Sequence, residues 1–347
     1  MSLSSWPPVS VVMPVLNEER HLEEAVGRVL DQEYPGELEV VLAIGPSKDR
    51  TQAIAARLAE ADKRITIVAN PTGKTPAGLN TGIAHARHDI VVRVDGHGVL
   101  TQGYITRAVE VLHESGADNV GGVMAAEGRT PIEMAVACAY RSRLGLGAST
   151  FHQGGKAGPA DTVYLGVFRR AALERVGGFD ESMHRAQDWE LNYRIRKTGG
   201  LIWFSPDLSV TYRPRSSLKD VAKQFFHTGQ WRREVIRRHP ETASKRYLAP
   251  PVAVVLLALG TILGIIGVAT GSAILDLGFL APLGYALLLI FGSAMEGRYL
   301  PWKALFWLPL ICATMHISWG LGFLIGLQER PAPPATAPGT PGAPASA

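Results

Sequence analysis

Asp95-Gly96-His97-Gly98 sets a carboxylate and an imidazole two residues apart among glycines. Together those side chains can hold a divalent cation, and glycine lets a diphosphate approach the backbone. A plain polar turn fits the same tetrapeptide, because Asp-Gly is common in turns. Upstream, Lys74 precedes Thr75-Pro76, where an N-cap beside proline predicts a helix start. A cation next to a helix N-terminus favours a diphosphate, although a solvated loop lysine is the simpler reading. Cys138 and Cys312 are the two cysteines and stand far apart in the chain, so neither a thiolate metal cluster nor a disulfide framework is expected.

These residues must be held by strands and helices, and the hydrophobic pattern supplies them. Ile90 to Val94 is apolar apart from one arginine and predicts a buried strand, running from Asp89 to Asp95, that ends at the Asp-Gly-His-Gly turn. Ligands in open α/β sheets bind beyond the carboxyl ends of strands. Val9–Pro14, Leu38–Ile44 and Ile65–Val68 read as three earlier strands. Helices are expected after Asn17, which can cap the first with Glu18 and Glu19 in its opening turn, then over Thr51–Ala61, from Thr75, and over Tyr104–Glu114. Strands alternating with helices give an α/β domain with a mostly parallel sheet. Asn119–Ala126, Thr162–Phe168, Leu201–Phe204 and Leu208–Tyr212 read as further strands, with helices over Ala171–Val176 and Gln187–Lys197. Phe151–Pro159 is glycine-rich and could be a mobile loop over the site.

The 347 residues are 46% hydrophobic, unevenly distributed: nearly all charge precedes Arg246. Leu218–His239 mixes aromatic and aliphatic residues with many cations, as a helix on an anionic membrane surface would, or as an ordinary packed helix would. Pro251–Thr270, Leu277–Met295 and Ala304–Leu327 are uncharged runs of spanning length, about 20 residues each. Basic residues before the first run, and Arg298 and Lys303 between the second and third, place the large domain in the cytoplasm and the C-terminus outside. The opening MSLSSWPPVS has no signal-peptide pattern, which agrees with a cytoplasmic domain. Expected divisions are 1–216 for the soluble domain, 217–247 for amphipathic basic helices, 248–328 for three spans and 329–347 for a disordered Pro/Ala-rich tail. A net charge of +4 without aromatic–basic interleaving makes nucleic acid an unexpected partner.

VVMPVLNEE, NPTGKTPAGLNTGI, VDGHG and GGFDESMHRAQDWELNYRIRKTGG, in that order, resemble glycosyltransferase family 2, and more narrowly its bacterial membrane-attached members. The resemblance covers roughly Val9 to Arg238. It implies a GT-A fold, Rossmann-like, and inverting transfer from a nucleotide-diphosphate sugar, with a UDP-sugar the first expectation. By the same resemblance Pro14, Asn17, Glu18, Asp49, Lys74, Asn80 and Asp95 face the donor. Asp95 and His97 hold a divalent metal, and Asp188 is the general base with Glu190 as its rival. His97 stands where a second aspartate is usual, which favours Mn²⁺ over Mg²⁺. Ile44 stands where an acidic base-reading residue is usual, and Gln187 where a glutamate is usual. The processive Gln-x-x-Arg-Trp stretch is replaced by His227-Thr228-Gly229-Gln230-Trp231, which argues for one sugar added per acceptor.

The function expected is transfer of one sugar to an isoprenoid-diphosphate-linked saccharide at the cell membrane, in polysaccharide or envelope glycan synthesis. Transfer onto a polyprenyl phosphate is the enzymatic alternative, and a degenerate membrane scaffold the non-enzymatic one. A transporter is not expected, since three spans without buried charge offer no evident pathway.

Overall fold

The computed structural model describes residues 5–146 and 150–328. The chain folds as two units that interleave along the sequence: 5–121 with 158–205, and 122–157 with 206–328. Composition placed a single boundary near 216; the contacts instead assign the segment after 121 to the second unit. The tail expected from Pro331 lies outside the described residues.

In the first unit, β1 (Val9–Val15) lies between β2 (Leu38–Ile44) and a later strand, β4. The intervening elements are α1 (Leu22–Leu30), α2 (Thr51–Ala61), β3 (Ile65–Ala69) and α3 (Thr75–His85). After β4 (Ile90–Arg93) come β5 (Val99–Leu100), α4 (Tyr104–Ser115) and the start of β6 (Asn119–Ala126). β1–β2, β2–β3 and β1–β4 pair parallel, with Val11 opposite both Val40 and Val92. Val9, Val11, Val12 and Met13 are wholly buried, as is nearly all of β2, which is why these strands read as unbroken apolar runs.

The second unit takes α5 (Pro131–Arg141) and α6 (Thr150–Gln153). Back in the first unit, β7 (Gly158–Pro159) precedes β8 (Tyr164–Arg169), which pairs antiparallel with β4, setting Val91 opposite Phe168. α7 (Arg170–Val176) stops at Gly177, whose φ of 75° is open to glycine at little cost. α8 (Gln187–Lys197) buries Trp189, Leu191 and Ile195, as its spacing predicts.

Several boundaries differ from expectation. Leu201–Phe204 and Leu208–Tyr212 form one strand, β9 (Ile202–Tyr212), because the backbone stays extended through Ser205-Pro206-Asp207. The glycine-rich segment expected as a loop holds the short α6, and Gly158 and Pro159 pair with Phe204 and Trp203. Thr75 is the first helical residue of α3 and Lys74 its N-cap, so the cap stands one residue earlier than the Thr-Pro signal suggests. α1 begins at Leu22, beyond reach of Asn17.

The rest of the second unit is helical: α9 (Leu218–Arg238), α10 (Lys245–Thr270), α11 (Ala273–Asp276), α12 (Leu280–Glu296) and α13 (Trp302–Ile325). Three stretches, Lys245–Thr270, Ala273–Glu296 and Trp302–Ile325, are long and apolar enough to span a membrane. α9 packs within the unit along one side. Its Val221, Phe225, Trp231 and Val235 are buried, Arg237 and Arg238 pair with Glu234, and Arg232 stacks on Tyr247. Most of the cations that suggested a headgroup patch are therefore engaged inside the unit.

Candidate active site

A cavity of about 290 Å³ opens in the first unit at the carboxyl ends of β1, β3 and β4, where an open α/β sheet places its ligands. Pro14 and Glu18 contribute from the end of β1, and Asn70, Gly73 and Thr75 from the β3–α3 turn. Arg93, Asp95, Gly96 and His97 line it from the end of β4, and Gln187 from the first residue of α8. Of the expected residues, Pro14, Glu18, Asp95 and His97 therefore share one cavity, and Asp188 follows Gln187 at its edge.

One residue that the motif reading passed over ties these groups together. The Arg93 side chain is 5% exposed, and its guanidinium donates to Asp95 Oδ1 (2.9 Å) and to Asp188 Oδ1. A buried guanidinium needs carboxylates to replace its lost hydration, so each carboxylate helps to position the other's partner. The sequence signal was present: a charged residue interrupting an otherwise apolar strand. Opposite, His97 Nδ1 lies 2.8 Å from Glu18 Oε1, joining the β1 and β4 loops.

The β1–α1 and β2–α2 loops are laced by polar contacts. Asn17, with φ 55°, donates from its backbone N–H to Ser47 Oγ and accepts from Lys48 N–H at 2.8 Å. Asp49 accepts from the Thr51 hydroxyl (2.5 Å) and backbone N–H and from Glu19 N–H. The Thr51 hydroxyl bond, with those backbone donors, holds the Asp49 carboxyl below its ordinary range. Neither Asn17 nor Asp49 lines the cavity; both support the loop that carries Glu18.

Asn80 is also a clamp rather than a cavity residue. Its side chain exchanges two hydrogen bonds with the Phe179 backbone (2.8 and 2.9 Å) and donates to Glu181. The loop it grips leads to α8 and hence to Asp188. Lys74 is exposed between two cavity residues, Gly73 and Thr75. Burial, then the Lys74 charge, lower the pKa of His184. Glu190, the rival base, is 3% exposed and held by the Arg194 guanidinium at 2.6 and 2.7 Å.

Asn70 is a second residue not singled out from the sequence. It is buried, and its amide donates to Lys74 O while its carbonyl accepts from Thr72, shaping the turn that opens α3. Gly73 sits there at φ 64°, a conformation that a β-carbon would strain. α8 begins after Ala186 at φ 59°, uncommon for a residue with a β-carbon.

The chain is 32% identical over 317 residues to the succinoglycan biosynthesis protein ExoA of Rhizobium meliloti, covering 90% of this chain and 93% of that one. The chain belongs to glycosyltransferase family 2. The model of that family, glycosyl transferase family 2, matches residues 10–177, which includes the ends of β1 and β4 and stops short of Asp188. A Methanococcus voltae dolichyl N-acetyl-α-D-glucosaminyl phosphate 3-β-D-2,3-diacetamido-2,3-dideoxy-β-D-glucuronosyltransferase is 25% identical over 239 residues, 66% of this chain and 74% of that one. Among solved structures, the mannosyltransferase PcManGT from Pyrobaculum calidifontis, in complex with GDP-Man and Mn²⁺, superposes with a TM-score of 0.60 at 23% identity, covering 92% of this chain and 88% of that one. The fold is thus the GT-A fold of this family, a mixed and mostly parallel sheet, followed by C-terminal helices.

Proposed function

We propose that the protein transfers a single sugar, with inversion, from a nucleoside-diphosphate sugar to a lipid-linked saccharide at the cytoplasmic face of the cell membrane. The observation that carries the reading is the Arg93 bridge, which ties Asp188 to Asp95, a residue of the cavity. A displacement at the anomeric carbon needs a donor site and a base on the opposite face of the sugar. Here the diphosphate would lie against Gly73, Thr75 and the N-terminus of α3, near the Lys74 cation. Asp188 would take the proton from the acceptor hydroxyl as its oxygen bonds to the anomeric carbon and the bond to the diphosphate breaks.

Asp95 and His97 fit a divalent cation as a partial donor set. Among the described residues no group of three or more His, Cys, Asp or Glu side chains is placed to hold a metal by itself. A cation here would complete its ligands from the donor's diphosphate, and when bound it would neutralise charge on the departing nucleotide. The imidazole and the Mn²⁺ in the PcManGT complex favour Mn²⁺ over Mg²⁺. A saccharide on a lipid carrier suits a chain whose C-terminal helices can enter a bilayer, and the Methanococcus relative's name describes a dolichyl-linked acceptor.

The test is Asp188→Asn in the full-length protein. Transfer is expected to fall about 10²–10⁴-fold, the range for losing a general base. Donor affinity with Mn²⁺, followed by thermal shift over UDP-, GDP- and dTDP-sugars, should change little and should vanish with chelator. Equal loss of binding and transfer removes Asp188 from the base role.

A further inference from the structure

We propose that the second unit carries a diphosphate site of its own, made by Arg232 on α9, Arg246 in the first turn of α10 and His152 on α6, which binds the isoprenoid-diphosphate end of the lipid-linked acceptor. The inference rests on the acceptor class proposed above and adds the residues by which this chain grips it.

Two helices of this unit treat their dipoles in opposite ways. α9 has Asp220 in its first turn and Arg237 and Arg238 in its last, the arrangement that a helix dipole favours. α10 reverses it: Lys245 and Arg246 open the helix, its first turn holds no acidic residue, and the N-cap Ser244 makes no side-chain capping bond. Cations at the positive end of a helix of 26 residues are unfavourable by themselves. An anion bound there offsets both the cations and the dipole, and phosphate is the usual one.

The side chains gather more positive charge at the same point. Tyr247 carries both guanidinium groups over its ring, Arg232 at 4.0 Å from the centroid and Arg246 at 5.5 Å. Arg232 is buried and Arg246 exposed, so the pair leads inward from the surface. Glu234, the acid nearest in sequence to Arg232, pairs with Arg237 and Arg238. Burial and the Arg246 charge lower the Arg232 pKa, with Tyr247 opposing them, as befits a buried cation facing a like charge. His152 is held between the rings of Phe151 (4.1 Å) and Tyr140 (5.7 Å). Burial, then the same Arg246 charge, push its pKa down to about 3, so the imidazole is neutral at neutral pH. Among the described residues, His152 Nδ1 is buried with no hydrogen-bond partner, which is costly unless a ligand supplies one.

The chemistry selects a diphosphate on a lipid. Guanidinium groups stacked on a ring direct their N–H donors within their own plane, where they meet phosphate oxygens in pairs. A diphosphate joined at both ends carries two negative charges, matched by Arg232 and Arg246, and a neutral His152 protonated on Nδ1 donates a further bond. A phosphatidylglycerol headgroup carries only one charge. From Arg246 the helix turns apolar within two turns, with Val252, Leu256 and Leu259 exposed along it. An isoprenoid chain can follow that surface into the bilayer while its charged end stays at the first turn of α10.

The experiment titrates farnesyl diphosphate into the full-length protein in phosphatidylcholine nanodiscs by calorimetry, with chelator present to silence the metal-dependent donor site. Saturable binding is expected, with inorganic pyrophosphate about 10-fold weaker or more and no competition from added phosphatidylglycerol. Arg246→Gln should weaken binding about 10–100-fold, the range for losing a charge-assisted hydrogen bond. Arg232→Lys, which keeps the buried charge and loses the fork, should weaken it less, and a donor-induced thermal shift with Mn²⁺ shows that each variant is folded. No binding by the wild type, or unchanged affinity in the folded variants, overturns the inference. So does pyrophosphate binding as tightly as farnesyl diphosphate, or displacement by phosphatidylglycerol. The two readings fail separately: sugar transfer without farnesyl diphosphate binding removes this site alone, and binding without transfer to any lipid-linked saccharide removes the proposed activity alone.

Discussion

The sheet of the first unit and helix α10 of the second bury opposite kinds of residue. In β1, Val9, Val11, Val12 and Met13 are wholly inside. In α10 the buried residues are Pro251, Gly260, Gly264 and Gly267, while Leu256, Leu259, Ile262 and Ile265 stand more than half exposed. Apolar burial drives folding only where the alternative is water. Where the alternative is lipid, leucine gains nothing by turning inward, and small residues that let backbones approach hold the helices together. The same composition rule therefore has opposite spatial consequences in one chain.

The largest effect is expected where the first unit departs from its own rule, at the buried charge of Arg93. Arg93→Met leaves Asp95 and Asp188 without their shared cation. It should cost about 3–5 kcal/mol in denaturant unfolding of the detergent-solubilised protein and abolish transfer, the range for breaking a buried pair. Arg93→Lys should restore part of the stability, since lysine keeps the charge but loses the fork that reaches both carboxylates. A variant lacking Arg93 with unchanged stability would remove the bridge from the account.

A direct comparison of interiors comes next. Met13→Ala should destabilise by about 2–5 kcal/mol, and Leu259→Ala on α10 by under about 0.5 kcal/mol in bilayers, where its side chain trades lipid for lipid. Comparable losses at both sites would mean that α10 buries Leu259 against protein.

Acid should act on the sheet through Glu39. Its side chain is 4% exposed and accepts from Ser10 Oγ (2.6 Å), Arg87 N–H (2.6 Å) and Arg87 Nε (2.7 Å). Burial alone would raise its pKa, but the Ser10 and Arg87 bonds outweigh that and hold it below the usual range. The unfolded chain thus binds its proton first as pH falls through the ordinary glutamate value, about 4.3, and this contribution to stability is lost as pH drops further to the folded value. Glu39→Gln should flatten that part of the pH–stability curve; an unchanged slope would assign it to other carboxylates.

The smallest effect concerns Ala186. Ala186→Gly relieves a left-handed alanine and should leave stability unchanged or raise it by up to about 1 kcal/mol. If transfer falls at the same time, the tight entry into α8 is what positions Asp188.

Strand and helix positions were mostly legible because buried parallel strands need uninterrupted Val, Ile and Leu, and amphipathic helices repeat every three to four residues. β2, α2 and α8 begin and end where the pattern places them. The resemblance brought Pro14, Glu18, Asp95 and His97 to one cavity, yet it also named Asn80, Asn17 and Asp49, which the fold uses to tie loops. A motif records residue type and order, and a carboxamide that grips a loop looks the same in sequence as one that meets a ligand.

What the sequence determined alone is whatever depends on neighbours along the chain: the alternation of elements, the glycine-flanked Asp-x-His turn, and the long uncharged helices near the C-terminus. What only the tertiary structure decided depends on partners far apart in sequence, whose meeting no local pattern encodes. Arg93 bridges to Asp188, Asn80 clamps the Phe179 backbone, and α13 has its inner face set against α9. Hydropathy measures how well a helix tolerates lipid; it does not say which helices the chain packs beside it.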